Sequence, residues 1–310
     1  MNFKKTDNNP VDCNHDPRSV AIGDFNSDTW LDFVVVNRTV NNISVFLGSS
    51  DGIFRQKPTY PTGSRSLPDK VAVADLNNDQ RLDIVVACFG INSVQIFLGI
   101  GDGTFVNCTT VFTGFSRPIW IHITHLNNDT FLDLVTVDYG TDSISIYLAD
   151  GTGNFFYQMR YSTGYDSSPV SVISADLNTD DHLDLIVANS GTNNVGIFFG
   201  KGNNEFSDQQ VLTTGIRSHP ISIVAGHFNS DKVLDIAVTN YGTNNVGVFF
   251  NLGNGAFIGQ TTYMLENASP YFIDTIDINL DKQSDLIVIN RGINNMVSFY
   301  DILTVTSHDQ

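Results

Sequence analysis

Asp24-Phe-Asn26-Ser-Asp28-Thr-Trp-Leu-Asp32 is the first of six copies of a nine-residue loop that returns every 50 or 51 residues. The others run Asp75 to Asp83, His125 to Asp133, Asp176 to Asp184, His227 to Asp235 and Asp277 to Asp285. Four copies carry side-chain oxygens at positions 1, 3, 5 and 9, the way a short loop wraps a hard cation. A period this long predicts a repeat architecture, and reading the chain as ordinary globular sequence would miss the fold.

Outward from the second loop, the repeat reads Lys70-Val-Ala-Val-Ala-Asp75, the loop itself, Ile84-Val-Val-Ala-Cys88, a turn through Gly90 and Asn92, Val94-Gln-Ile-Phe-Leu98, a Gly-Asp-Gly turn, and Phe105 onward. Short runs rich in Val, Ile and Phe, punctuated by Gly, Asn and Asp, predict four β-strands, and no stretch carries a helical period. Four strands per repeat predict an all-β fold, a β-propeller of four-stranded blades, because radial repetition packs each small sheet on its neighbours. Runs such as Ile84-Val-Val are apolar on both faces, as sandwiched middle strands must be.

One domain over 1-310 is expected, with repeat units at 3-53, 54-104, 105-154, 155-205, 206-256 and 257-310. The Gly-rich turn ending at Phe54, Phe105, Phe155, Phe206 and Phe257 has no sixth counterpart after Phe299-Tyr300. Counting back one period from Phe54 reaches Phe3, so the segment from Phe3 to Asn9 is expected to supply the sixth outer strand and close a six-bladed ring. The alternative is a poor fourth strand over Ile302 to Thr306.

The loop and the turn together, Asp-x-Asn-x-Asp-x-x-x-Asp between the first two strands and Leu/Phe-Gly with Gly-x-Phe beyond the third, resemble the FG-GAP or VCBS-type repeat of integrin α-subunit propellers and many secreted or surface proteins. The resemblance spans nearly the whole chain, although integrin propellers have seven blades. It implies calcium binding at Asp24, Asn26, Asp28 and Asp32; Asp75, Asn77, Asp79 and Asp83; Asp176, Asn178, Asp180 and Asp184; and Asp277, Asn279, Asp281 and Asp285. A backbone carbonyl at position 7 and water would complete the coordination.

Loops three and five place His125 and His227 at position 1, ahead of Asn127, Asp129 and Asp133 and of Asn229, Asp231 and Asp235. Imidazole is a poor calcium ligand, so weak or empty sites are expected there, each histidine instead bonding the loop backbone. Position 6, usually Gly in such loops, is Thr29, Gln80, Thr130, Asp181, Lys232 and Lys282. A positive φ there costs a non-Gly residue roughly 1 kcal/mol, so affinities in the extracellular range of about 10⁻⁴ to 10⁻³ M are expected.

Composition limits the partners. The 310 residues carry 33 acids and 16 bases, a net charge of -17, which argues against nucleic acid and anionic membrane surfaces. Sixteen of those acids sit at the ligand positions of the six loops, so much of the charge is local to the sites. No apolar run approaches the ~18 residues of a spanning helix, so direct membrane insertion is not expected. Met1 to Asp7 has no apolar stretch and does not read as a signal peptide. Cys88 reads as core packing, and Cys13 and Cys108 leave one bridge open without making a disulfide framework. Sequons at Asn37, Asn42, Asn107, Asn128 and Asn267 are compatible with an extracellular setting.

No nucleophile motif is present, and the carboxylate pairs all fall in the cation loops. The segments joining each outer strand to the next blade vary most. They hold Arg65, Phe115, Arg117, Tyr165, Arg217 and His219, the aromatic and Arg mix of interface anchors, at the end of each blade opposite the cation loops. The expected function is therefore a calcium-binding extracellular or cell-surface recognition and adhesion module for a protein or glycan. The alternative is a carbohydrate-active enzyme resembling a polysaccharide lyase.

Overall fold

The computed structural model describes residues 11, 13–127, 129–265, 269–291 and 295–299. The expected closing strand at 3–9 and its alternative at 302–306 lie outside them. Among the described residues there is no α-helix, only 3₁₀ turns at Cys13–His15, Phe89–Ile91 and Tyr139–Thr141.

Six antiparallel sheets follow one another along the chain. Their first strands are Pro17–Gly23, Pro68–Ala74, Pro118–Thr124, Pro169–Ala175, Pro220–Gly226 and Pro270–Ile276. Their second strands are Asp32–Asn37, Asp83–Cys88, Asp133–Asp138, Asp184–Asn189, Asp235–Asn240 and Asp285–Asn290. Asn42–Leu47, Ser93–Gly99, Ser143–Ala149, Asn194–Phe198, Asn245–Phe249 and Asn295–Phe299 come third. Fourth strands are Phe105–Phe112, Phe155–Ser162, Gln210–Thr213 and Thr261–Met264 in sheets two to five, and the last sheet has three strands among the described residues.

In the first sheet the fourth strand is broken into Arg55–Gln56 and Tyr60–Pro61. Pro58 stands in the gap and has no N–H to give the ladder. Every first strand opens on proline, and in all six the register slips between that proline and the residue two further on, from Pro17/Ser19 to Pro270/Phe272. Proline's missing donor falls at the strand's first position, where a bulge costs least.

The chain divides into two compact units, the division running through the third sheet: Met1–His125 with Asp129–Thr141 and Ser145–Met159, and Arg160–Gln310 with Leu126–Asn128 and Asp142–Ile144. In the first unit, Val34, Val36, Ile43, Val71, Ile84, Val86 and Phe97 form one core between sheets one and two. Val85, Ile96, Ile121, Leu134 and Tyr147 form the next, between sheets two and three. The second unit repeats the pattern with Ile186, Ile197, Ile223 and Val238, then with Ala237, Val248, Ile273 and Val288. Middle strands such as Asp83–Cys88 are buried at every residue, so each side chain packs on one neighbour or the other. Each buried Val, Ile or Phe is worth about 1.5–3 kcal/mol, which makes the sheet stacking the main source of stability.

Candidate functional site

The four loops that begin with Asp share one geometry. In the first, Asp24 Oδ1 accepts the Asp28 amide at 3.2 Å and Asp24 Oδ2 the Thr29 amide at 2.8 Å. The Asp28 amide also lies 3.3 Å from Asn26 Oδ1, and Asn26 Nδ2 donates to Asp28 Oδ2 at 2.9 Å. The oxygens of positions 1 and 3 thus converge on a backbone N–H at position 5. The same bonds recur at Asp75 with Asn77 and Asp79, at Asp176 with Asn178 and Asp180, and at Asp277 with Asn279 and Asp281.

This curl needs left-handed backbone. Position 6 has φ of 72° at Thr29, 66° at Gln80, 64° at Asp181, 67° at Lys232 and 73° at Lys282, as the glycine usual there anticipates. Position 4 is left-handed too in the four Asp loops, at Ser27, Asn78, Thr179 and Leu280. Sequence reasoning missed that second strained residue, because position 4 has no common residue type.

Position 9 is a brace as well as an acid. Asp32, Asp83, Asp133, Asp184, Asp235 and Asp285 are all fully buried. Asp83 Oδ2 accepts the Leu76 amide at 2.9 Å, inside its own loop, and Oδ1 accepts the Gly99 amide at 2.8 Å, sixteen residues on. Asp32 and Asp184 do the same, to Phe25 and Gly48 and to Leu177 and Gly200. One carboxylate therefore ties the cation loop to the Gly turn after the third strand, joining the two motifs read from the sequence. Gly99 cannot be larger: a Cβ there would lie 2.3 Å from the Leu82 carbonyl oxygen. Burial pushes Asp83 and Asp184 up to about 6, against the pull of their two amides, and the acids at positions 5 and 1 add to the rise. Asp235 is pushed up to about 6 by burial as well.

The histidine loops close differently. His125 Nδ1 donates to the Phe131 carbonyl at 2.9 Å and His227 Nδ1 to the Val233 carbonyl at 3.0 Å. Both carbonyls stand at position 7, so an imidazole N–H meets the oxygen that would face a cation in the other loops. Asn127, Asp129, Asn229 and Asp231 line these two loops.

Side-chain and carbonyl oxygens alone make up the donor set of the Asp loops, and that chemistry fits a hard cation. Among the described residues, no group of three or more His, Cys, Asp and Glu is gathered as metal ligands. Asn at position 3 leaves two acids in the open half of each loop, and backbone amides already engage their oxygens.

At the other end of the sheets, four joining segments are pinned twice. The side-chain oxygen of Asn41 accepts the Leu67 amide at 3.0 Å, Asn92 the Arg117 amide at 3.0 Å, Asp142 the Ser168 amide at 2.9 Å and Asn193 the His219 amide at 3.1 Å. These acceptors sit in the turn of the preceding sheet. From the following sheet, Gly90, Gly140, Gly191 and Gly242 donate their amides to the carbonyls of Ser66, Ser116, Ser167 and Ser218. Thr62 with Ser66, Thr163 with Ser167 and Thr214 with Ser218 add buried hydroxyl pairs at 2.6–2.7 Å. The recurring Asn or Asp before the third strand was the available signal for this clamp.

The six expected face residues all fall on these segments. Arg65, Arg117, Arg217 and His219 have φ between 46° and 59°, and His219 Nδ1 donates to the Ser190 carbonyl at 3.1 Å. Phe115 is 88% exposed, Tyr165 90% and, unremarked in the sequence, Ile216 89%. Arg65, Phe115 and Arg117 belong to the first unit, Tyr165, Arg217 and His219 to the second.

The family description FG-GAP-like repeat matches residues 24–86, 125–187, 176–238 and 227–288, together more than half of the chain. The chain belongs to the FG-GAP-like repeat family. A search of curated proteins gives no match. Solved structures similar to this FG-GAP-like chain include a Lactobacillus plantarum protein (TM-score 0.68, 16% identity, covering 93% of this chain and 81% of that one). Virginiamycin B lyase from Staphylococcus aureus is similar at TM-score 0.61 and 15% identity, covering 93% and 84%. An Agrocybe aegerita lectin specific for non-reducing terminal N-acetylglucosamine is similar at TM-score 0.60 and 17% identity, covering 91% and 80%. At these identities the likeness concerns the FG-GAP-like chain's propeller-type, all-β fold alone.

Proposed function

We propose that the chain is a recognition module, extracellular or at a cell surface, that holds a protein or glycan on its joining segments while calcium stiffens the opposite loops. The observation that carries this reading is the pairing of a rigid backbone with fully exposed apolar tips. Phe115, Tyr165 and Ile216 each project from a segment clamped by both neighbouring sheets. Exposed aromatic residues cost solubility, and a pre-organised backbone spares a binding surface the entropy of ordering.

Calcium enters through Asp24, Asn26, Asp28 and Asp32 and their counterparts in loops two, four and six, whose oxygens would exchange backbone amides for a cation. Sites of millimolar affinity fill only where calcium is that abundant, which supports a location outside the cell. The proposed module has no nucleic-acid partner and does not insert into membrane.

Binding to glycan and protein arrays tests the reading, with Tyr165→Ala and Ile216→Ala beside Leu280→Ala in a cation loop. Loss of a specific signal in the first two variants and retention in the third is expected. Retention in all three, or turnover of a bound glycan, would overturn it.

A further inference from the structure

The acidic chain concentrates positive charge at one place in its first unit. Arg18 Nε lies 3.2 Å from Asp69 Oδ1, and Arg38 pairs with the other oxygen of the same carboxylate. The Arg38 guanidinium carbon is 5.3 Å from the centre of the Phe89 ring, and that of Arg117 is 5.5 Å from the same centre. Arg65 borders this turn: a Cβ on Gly90 would meet its carbonyl oxygen at 2.1 Å. The guanidinium groups of Arg18, Arg38 and Arg117 are thus gathered around Asp69 and Phe89, with the backbone of Arg65 beside them, while Asp138 is buried on Thr136 and Ser145. Asp16 lies beside Arg38, whose amide it accepts through its carbonyl at 3.1 Å.

The remaining neighbours are flat and apolar. Gly140 packs on the segment from Phe115 to Arg117, and the rings of Phe115, two residues before Arg117, and of Tyr139, next to Gly140, are exposed. Cation–π contact with Phe89 fixes the direction of both guanidinium groups, and of the two it is Arg38 that also gives an N–H to Asp69. Such forks match the paired oxygens of a carboxylate or sulfate, and exposed rings match the apolar face of a pyranose.

We propose that the Arg38–Phe89–Arg117 cluster is a binding site for an acidic oligosaccharide, held through its carboxylate or sulfate groups. The inference rests on the recognition reading above and names the ligand class for one of its faces. A chain of net charge -17 that sets Arg38 and Arg117 on one ring, with Arg18 sharing the carboxylate partner of Arg38, has a use for them there.

Calorimetry on the full chain tests it, with a hexuronate, a sulfated hexasaccharide, a neutral hexasaccharide, a poly-glutamate peptide and an oligothymidylate as probes. One or both acidic saccharides should bind, more weakly at about 0.2 M salt than at about 0.05 M, and which of them binds identifies the anionic group. Arg117→Ala should lower that affinity about tenfold through loss of one charge-assisted fork. Arg117→Lys should fall between, and Arg55→Ala, whose partner is Asp51 at the opposite end, should change nothing. Circular dichroism establishes that each variant is folded. Binding of neither acidic saccharide, equal binding of the peptide or the oligonucleotide, or an effect of Arg55→Ala equal to that of Arg117→Ala would overturn the proposal. A neutral glycan bound with Arg117→Ala unaffected would remove this inference and leave the broader recognition reading standing.

Discussion

His227 gives its Nδ1 proton to the carbonyl of Val233, 3.0 Å away and six residues on in the same loop. The imidazole therefore supplies from within the chain a donor to the carbonyl that, in the Asp loops, would face a cation. His227→Ala is expected to lower the melting temperature by the same amount in calcium and in EDTA. His227→Asp is expected to raise calcium stoichiometry from four equivalents to five. A calcium-induced melting shift that disappears with His227→Ala would contradict this division of labour.

Asp184 holds two amides, those of Leu177 at 2.8 Å and Gly200 at 2.9 Å. Removing the carboxylate strands both. Asp184→Ala should cost about 3 kcal/mol or more, and Asp184→Asn roughly half as much, because one amide oxygen remains. Urea unfolding in EDTA measures both without metal, and equal stability of the two variants would refute the brace.

Gly242 has ordinary backbone angles but no room: a Cβ would lie 2.1 Å from the Arg217 carbonyl oxygen. Gly164 has φ of 100° and open space around its Cβ position. Gly242→Ala is therefore expected to destabilise by about 2–4 kcal/mol, since the clamp must open, and Gly164→Ala by only about 1 kcal/mol from its backbone. The reverse order in thermal melts would show that the joining segments yield easily.

His122, half-buried on the first strand of sheet three, is pushed down from 6.5 to about 4, by burial first and then by the charge of Lys70. Below pH 6.5 the unfolded chain takes up a proton that the native chain refuses, so the contribution of His122 to stability falls as pH drops from 6.5 towards 4, opposite in sign to the contributions of Asp83, Asp184 and Asp235, which are raised to about 6. The slope is at most about 1.4 kcal/mol per pH unit, less than that for a side chain partly open to water. His122→Gln should gain stability relative to the parent as pH drops from 6.5 towards 4, with no change in that difference above pH 7. A profile that keeps its slope in the variant would assign the acid sensitivity elsewhere.

The repeat, its four strands and the left-handed residue at position 6 were legible because each leaves a fixed residue type or spacing in every copy. The bonds from His125 and His227 to their own loop carbonyls could be anticipated, since imidazole has a donor where a carboxylate has none. Less visible was the second duty of position 9. The sequence shows Asp83 and Gly99 each in a motif, but their bond spans sixteen residues and depends on the hairpin's register. Ile216 escaped notice because an exposed isoleucine has no chemical signature, and its meaning lies in sharing a clamped segment with Arg217. The two charge partners of Asp69 come from the first strand of the first sheet and from the turn after its second strand, and no local pattern joins Arg18 to Arg38.

The double clamp on the four joining segments separates shape from content. Asn193 and Gly242 hold the backbone around Ile216 whatever side chain stands at its tip, and Asn92 and Gly140 do so around Phe115. Mutations at such tips are buffered, so specificity can drift from one descendant to the next without a folding penalty. A library randomised at 115, 165 and 216 would be expected to express as well as the parent, which makes this chain a ready frame for displaying new binding sequences.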